Sequence, residues 1–171
     1  MRVFAIGLLT ASALFAQIDT VSVKRDWKPI EFLFGNWTAK GGGASNGQGS
    51  GEFSFEPQIN KQIVIRKNFA AYTSGPEAGT RHDDLMIIYN ETATEPFRAI
   101  YFDSEGHVIR YIVKTPAPNV AVFESDGTQS GPKYRLTYSL PEKELDGKFE
   151  IAAPGAEFKT YLSWTSVRNK R

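Results

Sequence analysis

The chain has 171 residues, 41% of them hydrophobic and 13% aromatic, which is enough for one domain with a sizeable core and too little for two ordinary ones. Its 20 basic and 19 acidic residues nearly cancel, which excludes a long-range electrostatic pull on nucleic acid or anionic membranes. Cysteine is absent, which excludes disulfides, thiol catalysis, Cys-ligated zinc and iron–sulfur clusters.

The first sixteen residues read as a secretory signal. Met1-Arg2-Val3 is a short basic start, and FAIGLLTASALF is an apolar stretch of signal-peptide length. Cleavage fits after Ala13 or Ala16, and the apolar run is too short for an ordinary transmembrane helix, which needs roughly twenty residues. The mature protein is therefore expected to be exported, periplasmic or extracellular, with no membrane span. Residues 17–31 form a polar lead-in and residues 32–168 carry the domain, with 27–34 the only stretch that suggests a helical turn before the first strand.

From residue 34 the chain breaks into short runs rich in β-branched and aromatic residues. Strands are predicted at 34–40, 51–56, 61–72, 84–90, 97–103, 107–115, 120–125, 133–140, 144–152 and 157–167. Turn signals separate them, among them Ser104-Glu105-Gly106, Asp126-Gly127 and Pro154-Gly155. Asp146-Gly147 is a further hairpin signal and would split the ninth strand. Alternation is clean in places: Phe53 and Phe55 oppose Glu52, Ser54 and Glu56, while Tyr134, Leu136 and Tyr138 oppose Lys133, Arg135 and Thr137. Such period-two patterning describes antiparallel strands with one wet face. About ten of them without crossover helices predict an all-β fold, a single antiparallel up-and-down barrel that closes to hide its edges. A barrel that wide has room for a ligand.

The glycine-rich run at 41–51, GGGASNGQGSG, lacks the Gly-Lys-Ser/Thr ending of a phosphate-binding loop, and no helix follows it. It reads as a loop at the barrel rim joining the first two strands, with some glycines extending them.

Leu33-Phe34-Gly35-Asn36-Trp37 opens the first strand, and an arginine follows the last in LSWTSVR. Mid-chain stands the hairpin Tyr101-Phe102-Asp103-Ser104-Glu105-Gly106-His107. With these motifs the chain resembles the calycin-type barrels, and among them the bacterial nitrobindin-like and lipocalin-like exported proteins. The resemblance implies a ligand-binding barrel. It also implies haem b held by a histidine near the C-terminus, but no histidine follows His107, so haem would need a non-standard axial ligand. No cofactor is expected.

Alternation places the ligand-facing residues. Trp37, Phe53, Phe55, His107, Tyr111, Tyr134, Tyr138 and Trp164 are the candidate binding residues, an aromatic lining suited to a small hydrophobic or amphipathic molecule. Arg66 opposes Ile63, Ile65 and Phe69, and Arg110 opposes Tyr111, so both are expected to point outward. His82-Asp83-Asp84 and Asp103-x-Glu105-x-His107 contain metal-ligand types. The first follows a loop where charges are normally solvated and the second spans a turn, so no metal site is expected. No nucleophile elbow or His-Glu-x-x-His occurs, and catalysis is not expected. The alternative is a barrel isomerase, cyclase or hydrolase using His107 and nearby carboxylates.

Overall fold

The computed structural model describes residues 25–40, 49–75, 78–92, 95–128 and 130–170. The leader at 1–16 and most of the glycine run, 41–48, lie outside the described residues. Ten strands follow one 3-10 helix (Lys28–Leu33): β1 (Gly35–Ala39), β2 (Gly49–Gln58), β3 (Ile63–Tyr72), β4 (Arg81–Tyr89), β5 (Arg98–Asp103), β6 (Val108–Ala117), β7 (Val120–Ser125), β8 (Lys133–Ser139), β9 (Glu144–Ala152) and β10 (Lys159–Arg168). Each pairs antiparallel with its sequence neighbours, and β1 closes the barrel on β10 through Trp37↔Arg168, Thr38↔Val167 and Ala39↔Ser166. The fold is the all-β meander barrel that the alternation predicts. No helix among the described residues is long and apolar enough to cross a membrane.

One end of the barrel is plugged. Pro29 lies in the first turn of the helix, where its missing N–H costs nothing, and Ile30 and Leu33 project into the core completely buried. Trp27 stacks on Phe97 with ring centroids 4.9 Å apart, and its indole N–H donates to the Lys61 carbonyl at 2.7 Å. Trp37 donates to the Leu33 carbonyl at 2.8 Å. The Arg168 guanidinium lies 4.3 Å from the centre of the Trp37 ring and donates to the carbonyls of Phe32 and Phe34. The Gly-x-Trp opening and the terminal arginine thus form one device that seals the lower end. Part of the lead-in belongs to the core, since Trp27 and Ile30 join its hydrophobic cluster.

Several strand limits differ from expectation, and a few of the differences have a clear structural cause. β3 begins at Ile63 because Ile59, Asn60 and Lys61 turn with φ of 51°, 52° and 62°, so Lys61 belongs to the turn. β4 begins at Arg81, three residues early, which draws His82 and Asp83 into the strand that was expected to begin at Asp84. Asp146-Gly147 does not break β9, which runs unbroken through both residues. The reason is steric: a Cβ on Gly147 would overlap the Trp164 indole of the neighbouring strand. Glycine here makes room for an inward aromatic instead of making a turn. At the other end of the chain's glycine-rich run, Gly49, Ser50 and Gly51 extend β2, and a Cβ on Gly51 would press against the Phe69 carbonyl at 2.6 Å.

Gly147→Ala should therefore lower stability by about 1–3 kcal/mol through overpacking, read as a fall in the urea midpoint at unchanged slope. An unchanged midpoint would show that Trp164 has room to move.

Candidate functional site

Antiparallel register decides which side chains meet inside the barrel. Arg66 lies opposite Phe55 and Met86, Asn68 opposite Phe53 and Asp84, Asp84 opposite Asp103, and Tyr101 opposite Met86 and Ile109. Cross-strand partners share a face, so the polar members of this set project inward together with Phe53, Phe55 and Tyr111. Arg66 is buried, only 4% exposed, contrary to the outward position expected of it. The alternation in β3 is real, but Ile63 and Ile65 form its half-buried outer face while Val64 and Arg66 are buried inside. Arg110 is exposed, as alternation placed it.

Arg66 is stabilised by an ion pair with Asp84, whose side chain is 4% exposed. Asn68 donates to the second oxygen of that carboxylate at 2.7 Å. The Phe53 ring centre lies 5.6 Å from the guanidinium carbon, within cation–π range. Burial by itself would lower the Arg66 pKa, but the Asp84 charge, helped by Tyr138 and Tyr101, outweighs it and holds the value above the ordinary one. Three tyrosines surround the pair. Burial pushes the Tyr101 and Tyr111 hydroxyls well above the usual phenol range, and Tyr138, beside Arg66, up to about 12. All three phenols are therefore neutral at physiological pH.

Above this layer the polar set continues to the rim. His82 Nε2 stands 3.1 Å from the Tyr101 hydroxyl and 3.3 Å from Asp84 Oδ2, and its Nδ1 stands 2.8 Å from Glu105 Oε2. The hydrogen bond to Asp84 is the largest influence on His82 and raises its pKa above 6.5; burial opposes it, and the Asp84 and Glu105 charges add to it. Asp103 closes the β5–β6 hairpin. Its Oδ1 accepts from the backbone N–H groups of Glu105 and His107, and its Oδ2 meets His107 Nδ1 at 2.9 Å. Burial would raise the Asp103 pKa, but these His107 bonds overcome it and hold the value low.

A cavity of about 400 Å³ opens at the unplugged end of the barrel. One wall, from β3 to the start of β6, is polar: Asn68, His82, Asp84, Tyr101, Asp103 and His107. The facing wall, from β8 to β10, is apolar and aromatic. There Tyr134 stacks on Phe149 at 6.0 Å, and Tyr161 meets Phe149 edge-on at 6.2 Å. A register shift between Thr160 and Leu162 lets both Tyr161 and Leu162 line the cavity.

Of the candidate residues, Phe53, His107, Tyr111, Tyr134 and Trp164 line this cavity. Trp37, Phe55 and Tyr138 are packed beneath it in the core. His107 sits on the rim, 60% exposed, within hydrogen-bond reach of Asp103. The polar wall is what alternation missed. Its signal was present in Asp84, which shares parity with Met86 and Ile88 in β4 and so follows them inward.

No family model and no curated protein matches the sequence. Among solved structures, the fold is similar to the crystal structure of Rv2717c from M. tuberculosis, at 12% identity and a TM-score of 0.61, over 86% of this chain and 99% of that one. At such identity the likeness is one of fold.

Two outcomes are expected. Asp84→Asn should cost about 3–5 kcal/mol in urea unfolding because it leaves Arg66 buried without its counter-charge, and the double change Arg66→Met with Asp84→Leu should restore most of the loss. A raised His82 pKa contributes stability that is fully present below about 6.5 and lost as pH rises through the folded value. NMR titration of the wild type should therefore give a His82 midpoint above 6.5, which Glu105→Gln brings down.

Proposed function

We propose that this protein is an exported, non-catalytic barrel of the nitrobindin-like, lipocalin-like kind that binds an amphipathic small molecule. The observation that carries the reading is the two-sided cavity. Its volume of about 400 Å³ lies within the range of small-molecule sites, and its opposed polar and aromatic walls match a ligand with one polar edge and an apolar body. The body would lie over Tyr134, Phe149 and Trp164, while the polar group faces Asn68, His82 and Tyr101. The signal-like residues 1–16 support export, and the near-balanced charge supports a partner other than nucleic acid.

Haem does not fit the donors present. Both histidines stand on the carboxylate-bearing rim, His82 beside Glu105 and His107 tied to Asp103, and β10 offers Leu162 and Trp164 to the cavity where the resemblance calls for histidine. A flat apolar macrocycle would also face the polar wall edge to edge with charged groups, at a desolvation cost.

The mature protein, purified from its own host and extracted with organic solvent, should release a lipophilic or amphipathic molecule in near-stoichiometric amount by mass spectrometry. Ile151→Trp, which fills the aromatic side of the mouth, should fold and yield little of it. Empty extracts from wild-type protein, together with failure to enhance the fluorescence of 1-anilinonaphthalene-8-sulfonate, would overturn the reading.

A further inference from the structure

The rim of the cavity gathers a nitrogen and two carboxylates. One donor atom each from His82, Asp103 and Glu105 lies within 4.8 Å of the others. They come from different elements: His82 from β4, Asp103 from the end of β5, and Glu105 from the turn that follows. The β4–β5 register, Asp84↔Asp103, brings them together. The Ser104-Glu105-Gly106 turn argued in sequence against a shared strand face, yet it is this turn that swings Glu105 back towards His82.

What distinguishes the group from a chance cluster is the layer behind it. Metal-ligating imidazoles commonly give their other ring nitrogen to a carboxylate, which sets the tautomer and ring orientation. His82 Nε2 faces Asp84 Oδ2 at 3.3 Å, and Asp84 is itself held by Arg66 and by Asn68. The Asp84 and Arg66 side chains are nearly inaccessible, so the backing is rigid. Nε2 also lies 3.1 Å from the Tyr101 hydroxyl, while Nδ1 faces Glu105 Oε2 at 2.8 Å. A divalent cation taking the place of the proton in that contact would engage Asp103 as well.

We infer that His82 Nδ1, Asp103 and Glu105 form a binding site for a divalent transition-metal ion, with zinc the best-fitting common example. A mixed nitrogen and oxygen set suits zinc, whose bonds to both are about 2.0–2.2 Å, better than magnesium or calcium, which take oxygen. Asp103 is anchored by its hairpin bonds and His82 by Asp84, while Glu105 is exposed and closes the remaining gap. All three donors line the cavity, so the coordination left open faces whatever the cavity holds. The site stands on its donor geometry alone and does not depend on an amphipathic ligand being bound.

The test is calorimetric titration of zinc chloride into the untagged full-length mature protein after chelator treatment. One zinc per chain is expected. His82→Ala and Glu105→Gln should each weaken binding by at least about tenfold, the smallest loss typical even of residues behind metal ligands. Glu105 lies on an exposed turn, so its variant keeps the fold, which the urea midpoint of the apo form checks. His107→Ala removes an imidazole that supports Asp103 from behind without itself joining the donor set, so it should cost less affinity than His82→Ala does. Absence of stoichiometric zinc binding, magnesium binding as tight as zinc, or a loss in His107→Ala equal to that in His82→Ala would each overturn the assignment. Zinc binding with empty solvent extracts would sink the ligand reading alone.

Discussion

The buried pair of Arg66 and Asp84 is the constraint from which the interior follows. Two charges removed from water cost several kcal/mol each unless their attraction and added hydrogen bonds offset it. The barrel supplies both: the pair is in direct contact, Asn68 binds the free carboxylate oxygen, and the Phe53 ring faces the guanidinium. Once these groups are fixed inside, the polar side chains that share their strands and faces are drawn inward too. The interior cannot then fill with aromatics from both sides, and a polar wall is left facing an aromatic one.

The two ends of the barrel solve different problems. At the lower end the 3-10 helix, Trp27, Trp37 and Arg168 close the opening with hydrophobic packing and carbonyl-directed hydrogen bonds. At the upper end no comparable plug occurs among the described residues. There the cavity opens between a polar and an aromatic wall, and the β5–β6 hairpin carries Asp103 and His107. Apolar packing is concentrated low in the barrel, and the accessible polar groups stand high.

Glycine illustrates how local signals compete with tertiary ones. Asp146-Gly147 has the composition of a tight turn, yet β9 runs through it because the Trp164 indole occupies the space a side chain would need. Gly51 likewise is a strand residue pressed to a neighbouring backbone. In both cases what matters is the missing Cβ and not the freedom of φ, and only the packed neighbour reveals which property is in use.

Sequence alone determined the class of fold. Period-two alternation and regular turn signals require antiparallel strands, and ten of them without crossovers close on themselves because open edges are unstable. Most strand limits and the inward aromatics Phe53, Tyr111 and Tyr134 were legible for the same reason. The tertiary structure alone decided the site. Alternation divides a strand into two faces without saying which is inside, and in β3 the more apolar outer face misdirected the choice. Whether Arg66 points in depends on Asp84 lying beside it across a strand pair, eighteen residues away, and whether His82 meets Glu105 depends on how one hairpin turns. Such pairings are set by register and barrel closure, which no local pattern contains.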